Sequence, residues 1–555
     1  MFFSLLALIS LRAEYLGIDL GSQYFKMAES TLTGDARIVK SGSKVTTPAA
    51  VAIRSSRPLN YPLKPADFSD IQLRFGDAAL NILKNNATLG YSYLPRVIGR
   101  YENETQFGNP KLNISSAMFS LALNQYIHHF NEVDGVTLVA PSYWTRMQMR
   151  QAITACELFQ IPFISMVDDI SAMAMLYGAT RSKRCENNHH VLFVDVGFSG
   201  VRAYSATFSK ISSSSYFANE TSYFWSEKTG GYFFTKAVAD EKKIPFNKAQ
   251  KLLIRSSQNF NNLFSRELDE IKKVVSQAAE QARERSGEID ELQLIGGASV
   301  FPFVVEAIKS ASNISQIHRD FNANEALALA AAYTSMAAKG VAARPVTTLL
   351  KRPNYNLTLK FNKAQKYCTR GGKCEATIKD SAVNLTKLTI VAPIEELPEG
   401  SREVMMKYRI RNETFSKEKA NYQFNFQVPY PTIDRAYRCV GNDCEVVVWD
   451  GYLPNDHFLF EENDHFLRNY LVVLEEREKA EALIPTVDEL LIKLAKYFDK
   501  SNEVVVEAKT EITEEMKEAY QKHLDTFESG AIRQMNEAQI LKIVIELRNI
   551  LKSLE

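Results

Sequence analysis

Two apolar runs in this chain each end in an aspartate followed two residues later by a glycine. The first is Leu16-Gly-Ile-Asp-Leu-Gly-Ser22 and the second Val191-Leu-Phe-Val-Asp-Val-Gly-Phe-Ser-Gly200. A tight turn after a buried strand exposes backbone N–H groups that cradle phosphate oxygens, glycine lets the chain approach closely, and an aspartate at the strand end can hold the waters of a magnesium ion. A third run, Leu292-Gln-Leu-Ile-Gly-Gly-Ala-Ser-Val-Phe-Pro302, supplies a glycine pair where a flat adenosine can lie against bare backbone. Each motif alone is weak, because tight hairpins need glycine and strand ends tolerate aspartate for purely structural reasons. In this order, however, they are what a duplicated fold requires, with one phosphate hairpin from each lobe facing a central cleft. The candidate nucleotide-binding residues are therefore Asp19, Gly21, Ser22, Asp195, Gly197, Gly296, Gly297 and Ala298, with Asp19 and Asp195 as indirect magnesium holders.

The chain has 555 residues, too many for one core, so about three compact units are expected. From Tyr15 to about Gly340 strands alternate with helical stretches, the pattern of an α/β domain over 14–342. Pro345 breaks an Ala-rich helix, and 343–351 reads as a linker. Period-two alternation follows, in Tyr355, Leu357, Leu359 and Phe361 and again in Tyr422, Phe424, Phe426 and Val428, which predicts an antiparallel β domain over 352–456. Beyond it, 457–555 has helical periodicity. Thr486 and Glu489 form a capping box, and Ile540, Val544, Leu547, Leu551 and Leu554 mark the core face of a small bundle. With 66 basic and 65 acidic residues there is no global field for nucleic acid, and no later stretch is apolar enough to span a bilayer.

Several features point to the secretory pathway. Residues 1–13 read as a short signal peptide, although the segment lacks a basic start and a buried first strand is the alternative. Asn-X-Ser/Thr acceptors occur at Asn86, Asn103, Asn113, Asn219, Asn313, Asn356, Asn384 and Asn412, more than chance provides. Cys368 with Cys374 and Cys439 with Cys444 form two local pairs that suit disulfides in an oxidising lumen; a four-cysteine zinc site is the rival, though its knuckles are usually tighter. Cys156 and Cys185 read as buried small hydrophobes. The end, Lys552-Ser-Leu-Glu555, is not a lysine-aspartate-glutamate-leucine retrieval signal.

The motifs in sequence, GIDLGSQ at Gly17, APSYW at Ala140, DDISAMAMLYG at Asp168, DVGFSG at Asp195 and GGASVFP at Gly296, resemble those of the seventy-kilodalton heat-shock protein superfamily. Thr229-Gly230-Gly231 is similar to that family's turn into the second lobe, which adds Gly230 and Gly231 to the candidate site. The resemblance implies an actin-like α/β ATPase-type nucleotide-binding domain, a β-sandwich-like substrate-binding domain and an α-helical bundle. Within the superfamily the leader, the sequons and the drifted motifs resemble the large lumenal branch. That branch implies ATP or ADP with magnesium as cofactor, a lumenal seventy-kilodalton chaperone and unfolded polypeptides as partners, and nucleotide exchange as the activity.

Departures from the family pattern bear on catalysis. The family's catalytic lysine precedes a run matched here by Arg96-Val-Ile-Gly-Arg100, and Pro95 stands in its place, without a charge to stabilise a transferring phosphoryl group. Asp169 takes the position of a longer glutamate, so Asp169 and Asp195 are the remaining catalytic candidates. Phe198 and Ser199 replace two glycines in the second hairpin, where their side chains are expected to crowd the backbone nest. The adenine-clamping helix is represented by 248–258, with Lys251 as its matching basic residue. The reading is an exchange factor and holdase of the endoplasmic reticulum in which efficient hydrolysis is not expected. An ATP-hydrolysing foldase and a nucleotide-free holdase are the alternatives.

Overall fold

Leu16, Ile18 and Leu20 alternate with Gly17 and Asp19 along β1 (Tyr15–Leu20), yet all five are buried, so both faces of the strand are covered. The Ala-rich helix Ala326–Ala338 covers one of them. A Cβ on Gly17 would lie 2.1 Å from the Ala332 nitrogen, which is why this strand carries glycine and that helix carries alanine. The computed structural model describes residues 15–555 except 32, 41–43, 60, 62, 65–66, 129, 131–132, 256–261, 362–364, 373, 382–386, 403, 411–419, 428–431, 448, 453–456 and 499–509. The expected signal peptide lies outside the described residues.

From β1 the chain turns into β2 (Tyr24–Ser30) and β3 (Ala36–Ile38), then returns for β4 (Gly135–Ala140) and β5 (Phe163–Asp168). The sheet order is β3-β2-β1-β4-β5, with β1 antiparallel to β2 and parallel to β4. A second sheet repeats this plan with β6 (His189–Val196), β7 (Val201–Lys210), β8 (Ser215–Ser226), β9 (Glu291–Ile295) and β10 (Ile317–His318). Its order is β8-β7-β6-β9-β10, and β6 is antiparallel to β7 and parallel to β9. The duplication read from the two Asp-X-Gly turns is thus present in the strand topology itself. His189 and His190 open β6, and His190 is buried between Thr221 and the Glu288 carbonyl.

Val346–Leu350, inside the expected linker, is instead an edge strand, β11, parallel to β8. The Ala-rich helix already ends at Ala338, ahead of Gly340 with φ +71°, so Pro345 does not break it but stands just before the strand, where it is harmless, and β8 would otherwise present an unpaired edge. Thr347 packs so tightly on the helix Asp169–Thr180 that a Cβ on Gly178 would meet its hydroxyl at 1.9 Å.

The same compact unit, which runs to Glu461, includes the β domain. Leu357–Phe361, Lys387–Val391 and Val404–Ile410 form the centre of a five-stranded antiparallel sheet, and Ala420–Gln427 with Thr432–Val440 the centre of a four-stranded one. Phe361 and Phe424, whose rings are 4.8 Å apart, join the two inner faces. Cys368 is bonded to Cys374 and Cys439 to Cys444; Cys156 and Cys185 are free and buried.

A second unit comprises Ser55–Ile71 and Glu462–Glu555. Its core joins Val487, Leu491 and Leu494 to Tyr520 and to the predicted stripe Ile540, Val544, Leu547, Leu551 and Leu554. The capping box expected at Thr486 and Glu489 does not start a helix, because both lie inside the helix His457–Phe498, which continues through Pro485. Leu483 and Ile484 before the proline and Val487 after it pack in one cluster, and this burial holds a helix that local sequence would end. A capping box is found further on, between Asn536 and Gln539, at the start of Glu537–Leu554. Phe68, from the 55–71 segment, packs on Phe466 with ring centroids 5.3 Å apart.

Candidate functional site

The ends of β1, β6 and β9 converge on a cavity of about 380 Å³ lined by Asp19, Gly21, Ser22, Asp195, Gly197, Gly231, Gly296, Gly297 and Ala298. Nine of the predicted nucleotide-site residues are thereby brought together. Gly296 has φ +84°, and a Cβ there would strike the Asp195 carboxylate at 2.3 Å, so both conformation and space require glycine. Lys251 does not join the site. On the helix Phe246–Arg255 the cavity face is Gln250, Leu253 and Ile254, spaced three and four apart, and Lys251 falls off that face into solvent.

Both hairpins are locked by the protein's own groups. Ser199 donates its hydroxyl to Ser22 at 2.6 Å, joining the second hairpin to the first. The Gly231 and Tyr232 N–H groups, at the start of the helix Gly231–Lys242, donate to the Gly197 and Phe198 carbonyls at 3.1 and 2.6 Å. Gly230 has φ +124°, and a Cβ there would lie 2.8 and 2.9 Å from those same carbonyl oxygens, so the turn requires glycine. Phe198 packs on Tyr93 and Tyr232, with centroids 5.0 and 5.9 Å away, while still lining the cavity. The two residues that replace glycine thus cross-link the hairpin and anchor it.

Cross-strand pairing supplies each aspartate with a cation. Asp19 lies opposite Lys26 in the β1–β2 ladder, Asp195 lies opposite Arg202 in the β6–β7 ladder, and each pair is a salt bridge. Arg202 also reaches Asp169 at 3.0 Å. Burial opposes its charge, but Asp195 and Asp169 hold its pKa well above the ordinary value. Asp169 is completely buried; desolvation raises it to about 6 against the pull of Arg202. It accepts from the Ser142 and Ile170 N–H groups and from the Tyr223 hydroxyl.

Pro95 is buried in a short turn, Leu94–Arg96, and brings no charge. Its neighbours do not replace the missing lysine, since Arg96 and Arg100 are both engaged by Glu227, Arg100 in a two-pronged contact of 2.9 and 2.8 Å. Burial disfavours the Glu227 charge, but Arg100 and Arg96 together lower its pKa to about 2. Arg96 also donates to the Ser199 carbonyl at 3.3 Å, so this cluster braces the second hairpin from behind.

Lys26, Arg202 and Glu227 escaped the sequence reading. For the first two the signal was present: each basic residue follows its aspartate by seven positions, which is the residue directly opposite in a hairpin with this turn. Among the acceptor asparagines, Asn86, Asn103, Asn313 and Asn356 are exposed and Asn113 and Asn219 partly buried. Asn219 sits within β8 and accepts from Arg352 at 3.4 Å, a poor place for a glycan. Asn384 and Asn412 lie outside the described residues.

A duplicated sheet with a glycine hairpin at the end of the first strand of each half defines the actin-like class of nucleotide-binding folds. Residues 246–390 match the family model of the Hsp70 protein. The chain is 21% identical over 463 residues to hypoxia up-regulated protein 1 of Xenopus laevis, covering 65% of this chain and 69% of the relative. It is 19% identical to the protein of that name from Danio rerio, over 58% of this chain and 40% of the relative. The 97 kDa heat shock protein of Strongylocentrotus purpuratus is 24% identical over 247 residues, 43% of this chain and 27% of the relative. These matches lie in the seventy-kilodalton heat-shock superfamily, and the relatives in its large branch. In two of these three relatives the match spans less than half of the relative's own length.

That family implies nucleotide binding, generally with magnesium. The cavity, its glycine floor and the apolar wall at Leu253 and Ile254 fit a nucleoside. A magnesium ion fits poorly, because the two aspartates that would hold its waters are already paired with Lys26 and Arg202.

Proposed function

We propose that this protein is a chaperone of the endoplasmic reticulum lumen that acts as a nucleotide exchange factor for a seventy-kilodalton chaperone and holds unfolded polypeptides. One observation carries the reading: the two phosphate hairpins are tied to each other through Ser199 and Ser22, so the cleft is a braced frame rather than a site poised for turnover. Such a frame keeps its adenine nucleotide, ATP or ADP, as a structural ligand: Gly21, Gly296 and Gly297 hold it against bare backbone, while Asp19 and Asp195 hold the Lys26 and Arg202 cations beside it. Pro95 supports the same reading, since it leaves the position of the family's catalytic lysine without a charge.

Exchange works by population shift, so the protein must bind the open partner more tightly than the nucleotide-filled one. The helical unit, with its own core, is the arm assigned to that grip. The test is release of labelled ADP from a lumenal heat-shock chaperone. Release should accelerate with added protein, and deletion of residues 457–555 should weaken the effect. Unchanged release at saturating protein, with unfolded clients still kept soluble, would replace exchange by the holdase alternative.

A further inference from the structure

Both hairpins solve one problem in the same way. In each, an aspartate at the end of the first strand faces a basic residue seven positions later on the return strand, Asp19 with Lys26 and Asp195 with Arg202. Together the two basic side chains carry the charge of one divalent cation. Both line the cavity, and each side chain is 15% exposed, so neither is sealed away from a ligand. The Lys26 ammonium lies directly over the first turn, 2.8 Å from where a Cβ on Gly21 would stand, which is where a phosphate would rest on that hairpin. In the second lobe Arg202 is fixed by two carboxylates, Asp195 and Asp169, and points its charge at the same space.

We propose that Lys26 and Arg202 take the place of magnesium in this cleft, so that an adenine nucleotide binds through the protein's own cations and without a divalent ion. The inference rests on the reading of the cavity as a nucleotide site. Its chemistry is ordinary: an ammonium and a guanidinium are both phosphate ligands, and arginine holds its charge at any working pH. A divalent ion entering between the hairpins would have to displace Lys26 from Asp19 or Arg202 from Asp195, losing a salt bridge for each carboxylate gained.

Calorimetric titration of the full chain with ADP, once in magnesium and once in excess EDTA, tests this. The two Kd values should agree within about threefold. Binding weaker by about tenfold or more in EDTA would overturn the proposal and leave the nucleotide site intact. No binding in either buffer would overturn both. Lys26→Met is the informative variant, because Arg202→Met would also strip the buried Asp169 of a counter-charge. With Lys26→Met, affinity in EDTA should fall and added magnesium should restore part of it. Unchanged affinity in EDTA, in a variant that unfolds at the wild-type temperature, would also overturn the assignment.

Discussion

Replacing Glu227 by glutamine should destabilise the two-lobed unit severely while leaving the helical unit untouched. Glu227 is the shared counter-charge of two buried guanidinium groups, Arg96 and Arg100, both about 1% exposed. Depression of its pKa from 4.5 to about 2 corresponds to roughly 3 kcal/mol of stabilisation of the ionised form. Leaving both arginines buried without that charge costs a similar amount, about 3 to 5 kcal/mol. Urea unfolding followed by tryptophan emission reads the right region, because Trp225 stacks on Tyr143 at 4.2 Å close to this cluster. The sign of the pH dependence follows from the lowered pKa. The contribution is complete above the unfolded value near 4.5 and is lost as pH falls through about 2, so the variant should lose that part of the acid slope. A loss below about 1 kcal/mol, or a wild-type acid slope retained in Glu227→Gln, would refute the assignment of Glu227 as the central charge.

Three further outcomes are expected. Mass spectrometry of non-reduced peptides should find Cys368 linked to Cys374 and Cys439 to Cys444, with Cys156 and Cys185 free; four free thiols or a stoichiometric zinc ion would contradict this. Glu220, fully buried, has its pKa raised to about 8 chiefly by desolvation, with Arg352 and Lys351 opposing. A raised carboxyl pKa means that the folded state binds the extra proton, so stability should fall as pH rises from about 5 to 8, and Glu220→Gln should flatten that fall in thermal unfolding curves. Ser199→Ala should remove the tie between the hairpins and raise amide hydrogen exchange around Gly21 and Ser22; unchanged protection there would deny the brace.

Much of the site was legible because turn chemistry is local. An aspartate followed by a glycine after an apolar strand has few structural solutions, and two of them with a later glycine pair have fewer, so the turns at Asp19, Asp195 and Gly296 can be read from the sequence, and all three residues line the one cavity. The disulfide pairs were legible for the same reason, being five and six residues apart. What failed depended on distant partners. Val346–Leu350 became a strand because β8 had a free edge, which no local pattern announces. Thr486 and Glu489 have the spacing of a cap, but Val487 and Leu491 are buried against Ile540 and Val544, and tertiary packing overrode both the cap and Pro485. Phe198 is crowding in the bare motif, but its ring packs on Tyr93 and Tyr232, residues from other segments that the local sequence does not announce.

As proposed, the actin-like frame survives here as a braced scaffold and not as an ATPase. Single-turnover hydrolysis of labelled ATP by the purified chain, with and without magnesium, addresses it most directly. With Pro95 at the lysine position and both aspartates paired internally, product should form no faster than in a preparation carrying Asp195→Ala. A rate comparable with that of a chaperone foldase, abolished by Asp195→Ala, would contradict the account and make this protein an enzyme.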